Sequence, residues 1–325
     1  MIEPLALFSW VVLICLGLLA VLLMFSILHH TCRLRQERNK YPPPGKIIQM
    51  YNRKMHIYAS GQGDIPLVFM AGHATSSPTL DFKPLWMRMT DQYRIVVVER
   101  AGYGWSETSR SPGDIDTLLE ETRNALYQSG EKGPYVLIPH SMSGLEAIYW
   151  SQKYPDEVVS IIGLDPAVPE VYETAPELFA QNRRLQVMYI VSRIGLTRFM
   201  GRKELEKHLP LIRSKELSRE DIDCAVAIFH KGSFTRNMWY ELRSIPANAR
   251  KVKSHPVPVH IPMYFFLSDG QELIFPDWEE QLTKYVSSIH LGRYKILGSG
   301  HYMHHEKSAL IADEVKGFLG EILDT

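Results

Sequence analysis

Cysteine is scarce, with three in 325 residues. Cys15 lies within an apolar run and Cys32 just beyond it, which leaves Cys224 alone in the folded part and excludes a disulfide framework. Neither sign of charge is in excess, since 36 Lys plus Arg stand against 36 Asp plus Glu. No basic surplus points to nucleic acid and no acidic surplus to a disordered tail, so nucleic acid is not expected as a partner. Internal repeats and low-complexity segments are missing as well. Histidines cluster at 301, 304 and 305, yet "HYMHHE" matches neither zincin pattern and no second ligand group accompanies it. No metal or other cofactor is expected.

One stretch lacks charge altogether. From Leu5 to Leu28 there are 24 uncharged residues, long enough at about 1.5 Å per residue to cross the roughly 30 Å hydrocarbon core of a bilayer. The preceding flank, "MIEP", has no basic group, which speaks against a cleavable signal peptide. Arg33, Arg35, Arg38 and Lys40 follow the run, and basic residues beside a span stay cytoplasmic. Residues 1–30 are therefore expected to form a single-pass anchor with the folded part in the cytoplasm. Residues 31–45, ending in the stiff "YPPPG", form the expected linker.

Beyond residue 45 strand-like and helix-like stretches alternate. "KIIQMY" and "RKMHIYAS" read as an antiparallel pair, and "PLVFMAG", "RIVVVER", "YVLIP" and "VVSIIGLD" as buried parallel strands. "DIDTLLEETRNALYQSG" is an amphipathic helix that presents Ile115, Leu118, Leu119, Thr122, Ala125 and Leu126 on one face and stops at Gly130. Alternation of this kind implies a parallel α/β sheet with right-handed crossovers. It lapses from about Val168 to Pro256, where the sequence reads as wholly helical, and resumes at "PMYFFLSDG" and "GRYKILGSG".

Ligands of parallel sheets sit at the carboxyl ends of strands. Six junctions there stand in order: "MAGHATSS", "ERAGYGWSE", "PHSMSG", "GLDPAVP", "LSDGQE" and "GSGHYMHHE". Together they resemble the α/β-hydrolase family over essentially all of residues 45 to 325. The resemblance implies a mostly parallel eight-stranded sheet with helices on both faces. The core comprises residues 46–168 and 257–325, and a helical lid at 169–256 is inserted between strands six and seven. It further implies that Ser141 is a nucleophile on a strained turn, His301 its base, and the backbone amides of Met142 and His73 an oxyanion hole. Glu99 stands where the family carries aspartate, and Ser106 reads as a cap. Pro139 and Ser143 occupy the two elbow positions that are glycine in G-x-S-x-G enzymes.

These residue types have a chemical logic of their own. A serine hydroxyl needs a histidine to take its proton, and the histidine needs a carboxylate to fix its tautomer. The alkoxide that develops on the substrate needs amide donors already in place. Three residues compete for the carboxylate role: Asp165 in "GLDPA", Asp269 in "LSDGQEL" and, one slip further, Glu272. The expected activity is that of a carboxylesterase or lipase-like serine hydrolase acting on an ester, thioester or amide of a small acyl substrate, lipids among the candidates, through an acyl-enzyme. Two alternatives stand beside it. One is a proline-iminopeptidase-like peptidase, for which Glu170, Glu173, Glu177 or Glu204 would receive the substrate amine. The other is a non-catalytic receptor or membrane scaffold on the same fold.

Overall fold

Short β-branched and aromatic runs form eight strands: β1 (Lys46–Met50), β2 (Arg53–Ser60), β3 (Leu67–Met70), β4 (Ile95–Glu99), β5 (Tyr135–Pro139), β6 (Val158–Leu164), β7 (Met263–Leu267) and β8 (Gly292–Ile296). The computed structural model describes residues 4–50, 53–172, 178–270, 273, 275 and 277–323. One sheet holds all eight strands in the order β1-β2-β4-β3-β5-β6-β7-β8. β2 runs antiparallel to β1 and β4, and every other pairing is parallel. Side chains alternate across the central strands because successive Cβ atoms point to opposite faces. Val68, Val96 and Leu137 pack beneath the helices Ile115–Ser129, Ser143–Lys153 and Trp278–Ser287. Phe69, Val97 and Ile138 pack against the closing helix Ser308–Leu323 on the other face.

Local signals set the ends of the best-defined helix. The Asp114 side chain accepts from the Thr117 amide at 3.0 Å, and Gly130 closes the helix at φ 88°. Between β6 and β7 lie the helices Leu178–Arg193, Arg202–His208, Arg219–Gly232 and Arg236–Lys253. Leu209, Leu211, Ile228 and Phe229 give this segment a small core of its own, shared with Leu80. The last of the four helices departs from that pattern. Its Leu242, Ile245, Ala249 and Val252 fall on one face and join the core cluster of the sheet, so this part of the 169–256 segment packs as a core layer.

The N-terminal helix runs from Pro4 to Lys40 and so takes in residues 31–40 of the expected linker. Nothing interrupts it earlier, because no proline follows Pro4 until Pro42. Apolar side chains from Phe8 to Leu28 are exposed around it, and the helix is long and apolar enough to cross a membrane. Its later turns dock on the helical segment between β6 and β7. Ser26 Oγ donates to the Ile194 carbonyl at 2.7 Å, and Arg198 reaches both Glu37 oxygens at 2.8 and 2.7 Å.

Candidate active site

Ser141 sits on the turn between β5 and the helix Ser143–Lys153, with φ 54°. A non-glycine residue held in the left-handed region costs on the order of 1–3 kcal/mol, and such outliers gather at functional sites. Among the described residues three non-glycines have positive φ: Ala74, Ser141 and Asp165. All three lie at strand-end junctions. The Ser141 carbonyl is clamped by the amides of Ala167 at 2.7 Å and Gly144 at 2.9 Å. Close packing explains two glycines here. A Cβ on Gly72 would stand 2.8 Å from the Ser141 Cβ, and one on Gly144 would stand 2.3 Å from the Ala167 carbonyl oxygen.

The unusual elbow residues are accommodated. Ser143 Oγ donates to the Met70 carbonyl at 2.7 Å and accepts from the His140 amide at 3.0 Å, ties that glycine could not make. Val136 and His140 donate to the β3 side, so the donor that Pro139 lacks belongs to the β6 side. There the pairing lapses between Leu137↔Ile161 and the His140↔Leu164 bridge.

His301, after β8, directs Nδ1–H to Asp165 Oδ2 at 2.6 Å. Asp165 is fully buried and accepts three further bonds: Ser268 Oγ at 2.6 Å on Oδ2, and the Ser268 amide and Trp278 Nε1, both at 3.0 Å, on Oδ1. The structure therefore brings Asp165, and not Asp269, to the histidine. Asp269 is exposed, with its amide bonded to the Ser299 carbonyl at 3.1 Å. Glu272 lies outside the described residues, as do Glu173 and Glu177. With Nδ1 protonated, the neutral imidazole keeps its lone pair on Nε2, the nitrogen able to take a proton.

Among the described residues neither the Met142 nor the His73 amide donates to a protein acceptor. The His73 ring lies 3.9 Å from Glu241, too far for a hydrogen bond. Glu241 comes from the helix Arg236–Lys253 and accepts from Tyr103 Oη at 2.5 Å and Arg100 at 3.4 Å. Burial, the largest single influence, would raise its carboxyl pKa, but the Arg100 guanidinium together with the nearby His73 and the Tyr103 hydroxyl holds it below the usual range. Arg100 also reaches Glu146 at 3.3 Å in the helix after Ser141. A buried ion network thus ties the loop after β4, the Ser141 helix and the helix Arg236–Lys253 together. No sequence pattern marks Glu241 for this place.

Glu99 braces the neighbouring loop by accepting from the Trp105 amide at 2.7 Å and from His56 Nδ1 at 3.0 Å. Ser106 does not cap a helix. It donates to the Glu99 carbonyl at 2.6 Å and accepts from the His56 amide at 2.9 Å. Glu204 is engaged with Lys207 at 2.7 Å.

His140 escapes a reading by motif because it only precedes the elbow serine. Its Nε2–H donates to the His301 carbonyl at 3.1 Å, linking the two loops. Burial, and then the neighbouring His301 and His304, push its pKa well below the ordinary value. Beyond it, Asp81 accepts from His304 Nε2 at 2.9 Å and His305 Nε2 at 3.0 Å. These three residues bring ligand atoms within 4.8 Å of one another and could hold a cation, but both Nε2 atoms are already committed to the carboxylate. His301 opens on a cavity of about 450 Å³, walled also by Lys207, Pro210, Arg213, Leu273 and Tyr302. Ser141 is half-buried and is not among its walls.

A strained serine at the end of a central strand, with an Asp–His pair from the following strands, defines a hydrolase of the α/β-hydrolase type. The chain belongs to the α/β-hydrolase fold family, whose model matches residues 75–190. It is 35% identical over 254 residues to the YbdG protein of Bacillus subtilis, covering 78% of each chain. Among solved structures it resembles a thermophilic esterase from Thermogutta terrifontis, with TM-score 0.60, 16% identity and coverage of 86% and 99%. It also resembles the enol-lactonase from Burkholderia xenovorans, with TM-score 0.61, 16% identity and coverage of 85% and 100%.

Proposed function

We propose that the protein is a carboxylesterase or lipase-like serine hydrolase that cleaves an ester, thioester or amide through an acyl-enzyme. The observation that carries this reading is the buried Asp165, bonded at 2.6 Å to His301 on the loop that His140 ties to the Ser141 elbow. In the first step His301 Nε2 takes the Ser141 proton as Oγ adds to the substrate carbonyl. The oxygen then bears negative charge, and the Met142 and His73 amides donate to it, each typically worth roughly 3 kcal/mol. Collapse expels the alcohol, thiol or amine, which receives its proton from His301. Water then repeats the sequence against the acyl-serine.

The N-terminal helix is read as a single-pass anchor that holds the folded part on the cytoplasmic face, where a small acyl substrate, lipid included, would meet it. Labelling with a fluorophosphonate tests the chemistry: the wild type should react and Ser141→Ala should not. A folded wild type that fails to label overturns the reading. One observation favours a second reading as a peptidase, because Glu170 keeps a buried oxygen with no hydrogen-bond partner among the described residues and could meet a substrate amine. Faster turnover of prolyl p-nitroanilide than of p-nitrophenyl esters would select it.

A further inference from the structure

The first residue of β2, the loop after β4 and two helices of the inserted segment surround a second cavity, of about 460 Å³, which shares no wall with the cavity at His301. Four guanidiniums, those of Arg53, Arg110, Arg193 and Arg236, face one carboxylate there, Glu107. Such a concentration is local, because the chain as a whole is balanced in charge. Glu107 is partly spent on the Lys54 amide, which it accepts at 2.8 Å. Arg53 is only 6% exposed; it pairs with Glu121, and its Nε is buried without a hydrogen-bond partner among the described residues.

Arg110, Arg193 and Arg236 have no ion pair among the described residues, and Arg193 lies 5.4 Å from the centre of the Tyr189 ring. Guanidiniums gathered in this way repel one another unless an anion joins them, and a buried Nε without an acceptor is costly. Their planar forks match the paired oxygens of phosphate.

We propose that this cavity binds a phosphate group. Its position indicates the source. Arg193 ends one of its helices, and the next residue, Ile194, accepts the bond from Ser26 of the N-terminal helix. The roughly 20 uncharged residues before Ser26 reach about 30 Å, the thickness of a hydrocarbon core, so Ile194 stands where lipid phosphates begin. On the same segment Val187, Ile190 and Phe199 expose about 60% of their surface, at 59%, 59% and 61%. The phosphate of a phospholipid headgroup fits this place. That assignment rests on the membrane reading, whereas phosphate binding itself does not.

The test titrates the full-length protein in nonionic detergent, by calorimetry, with inorganic phosphate and with soluble dihexanoyl phosphatidylglycerol. The double variant Arg110→Ala/Arg193→Ala, altered at two exposed side chains, should bind about tenfold more weakly per guanidinium removed, while its fluorophosphonate labelling stays unchanged. Equal affinity for both ligands supports a site for free phosphate; a marked preference for the phospholipid supports the headgroup. Absence of binding by either ligand overturns the proposal, and so does an affinity that the double variant leaves unaltered.

Discussion

Replacing Asp165 with asparagine changes one atom in a site whose hydrogen bonds leave little freedom. Oδ1 receives the Ser268 amide and the Trp278 indole N–H, both obligate donors at 3.0 Å. The asparagine oxygen must therefore keep that place, which puts its NH2 group where Oδ2 now faces His301 Nδ1 at 2.6 Å. Ser268 Oγ can turn to accept from the new amide, so the fold should tolerate the change. The left-handed backbone at φ 49° suits asparagine as well as aspartate. His301 cannot turn. Facing a donor, its Nδ1 must become the acceptor, and the proton moves to Nε2, the nitrogen that would otherwise take the Ser141 proton. Loss of the correct tautomer in a serine triad lowers kcat by about 10⁴, equivalent to roughly 5 kcal/mol in the barrier. The assay is kcat on a p-nitrophenyl ester, with Tm to confirm folding and Asp269→Asn as the control expected to keep full activity. A folded Asp165→Asn enzyme within tenfold of the wild type would refute the reasoning.

Gly72→Ala should disable the site through packing alone, since its Cβ would meet the Ser141 Cβ at 2.8 Å and the His140 carbonyl oxygen at 3.1 Å. Overpacking of this kind costs about 1–3 kcal/mol, so a variant with unchanged Tm and full fluorophosphonate labelling would contradict it. Stability should also fall with acidification above the usual carboxylate range. Burial, and next the neighbouring His305, lower the His304 pKa from 6.5 to about 4. Between those values the unfolded chain binds more protons than the folded one, so stability is whole above pH 6.5 and drains away toward pH 4, by about 3 kcal/mol at most. Thermal melts at pH 7 and pH 5 should separate by several degrees, and coincident curves would count against a buried neutral His304.

Much of the site is legible along the chain because the chemistry of a parallel sheet collects at strand ends. Short buried strands and one amphipathic helix, with Asp114 at its start and Gly130 at its end, are enough to expect the sheet and its polar junctions. Ser141 and His301 stand out at such junctions. The limits of reading by pattern show in the helix Arg236–Lys253, where a helical stretch says nothing of which layer it joins. Glu241 carries no signal either, because a carboxylate on a helix reads as a solvated face until Arg100 and Tyr103 are seen against it. The N-terminal helix illustrates a different limit. Its apolar run is plain in composition, but its docking through Ser26 and Arg198 joins residues 168 and 161 positions apart.

By itself the sequence determined the fold class, the strand-end junctions, the long uncharged helix and a short set of polar candidates, because each follows from local periodicity and residue type. Tertiary structure alone decided which carboxylate meets the histidine. Asp165 and Asp269 both follow strands, and nothing local separates them. The path of the chain does so by turning Asp165 inward beneath Ser268 and Trp278, against a histidine 136 positions later, while Asp269 is left at the surface.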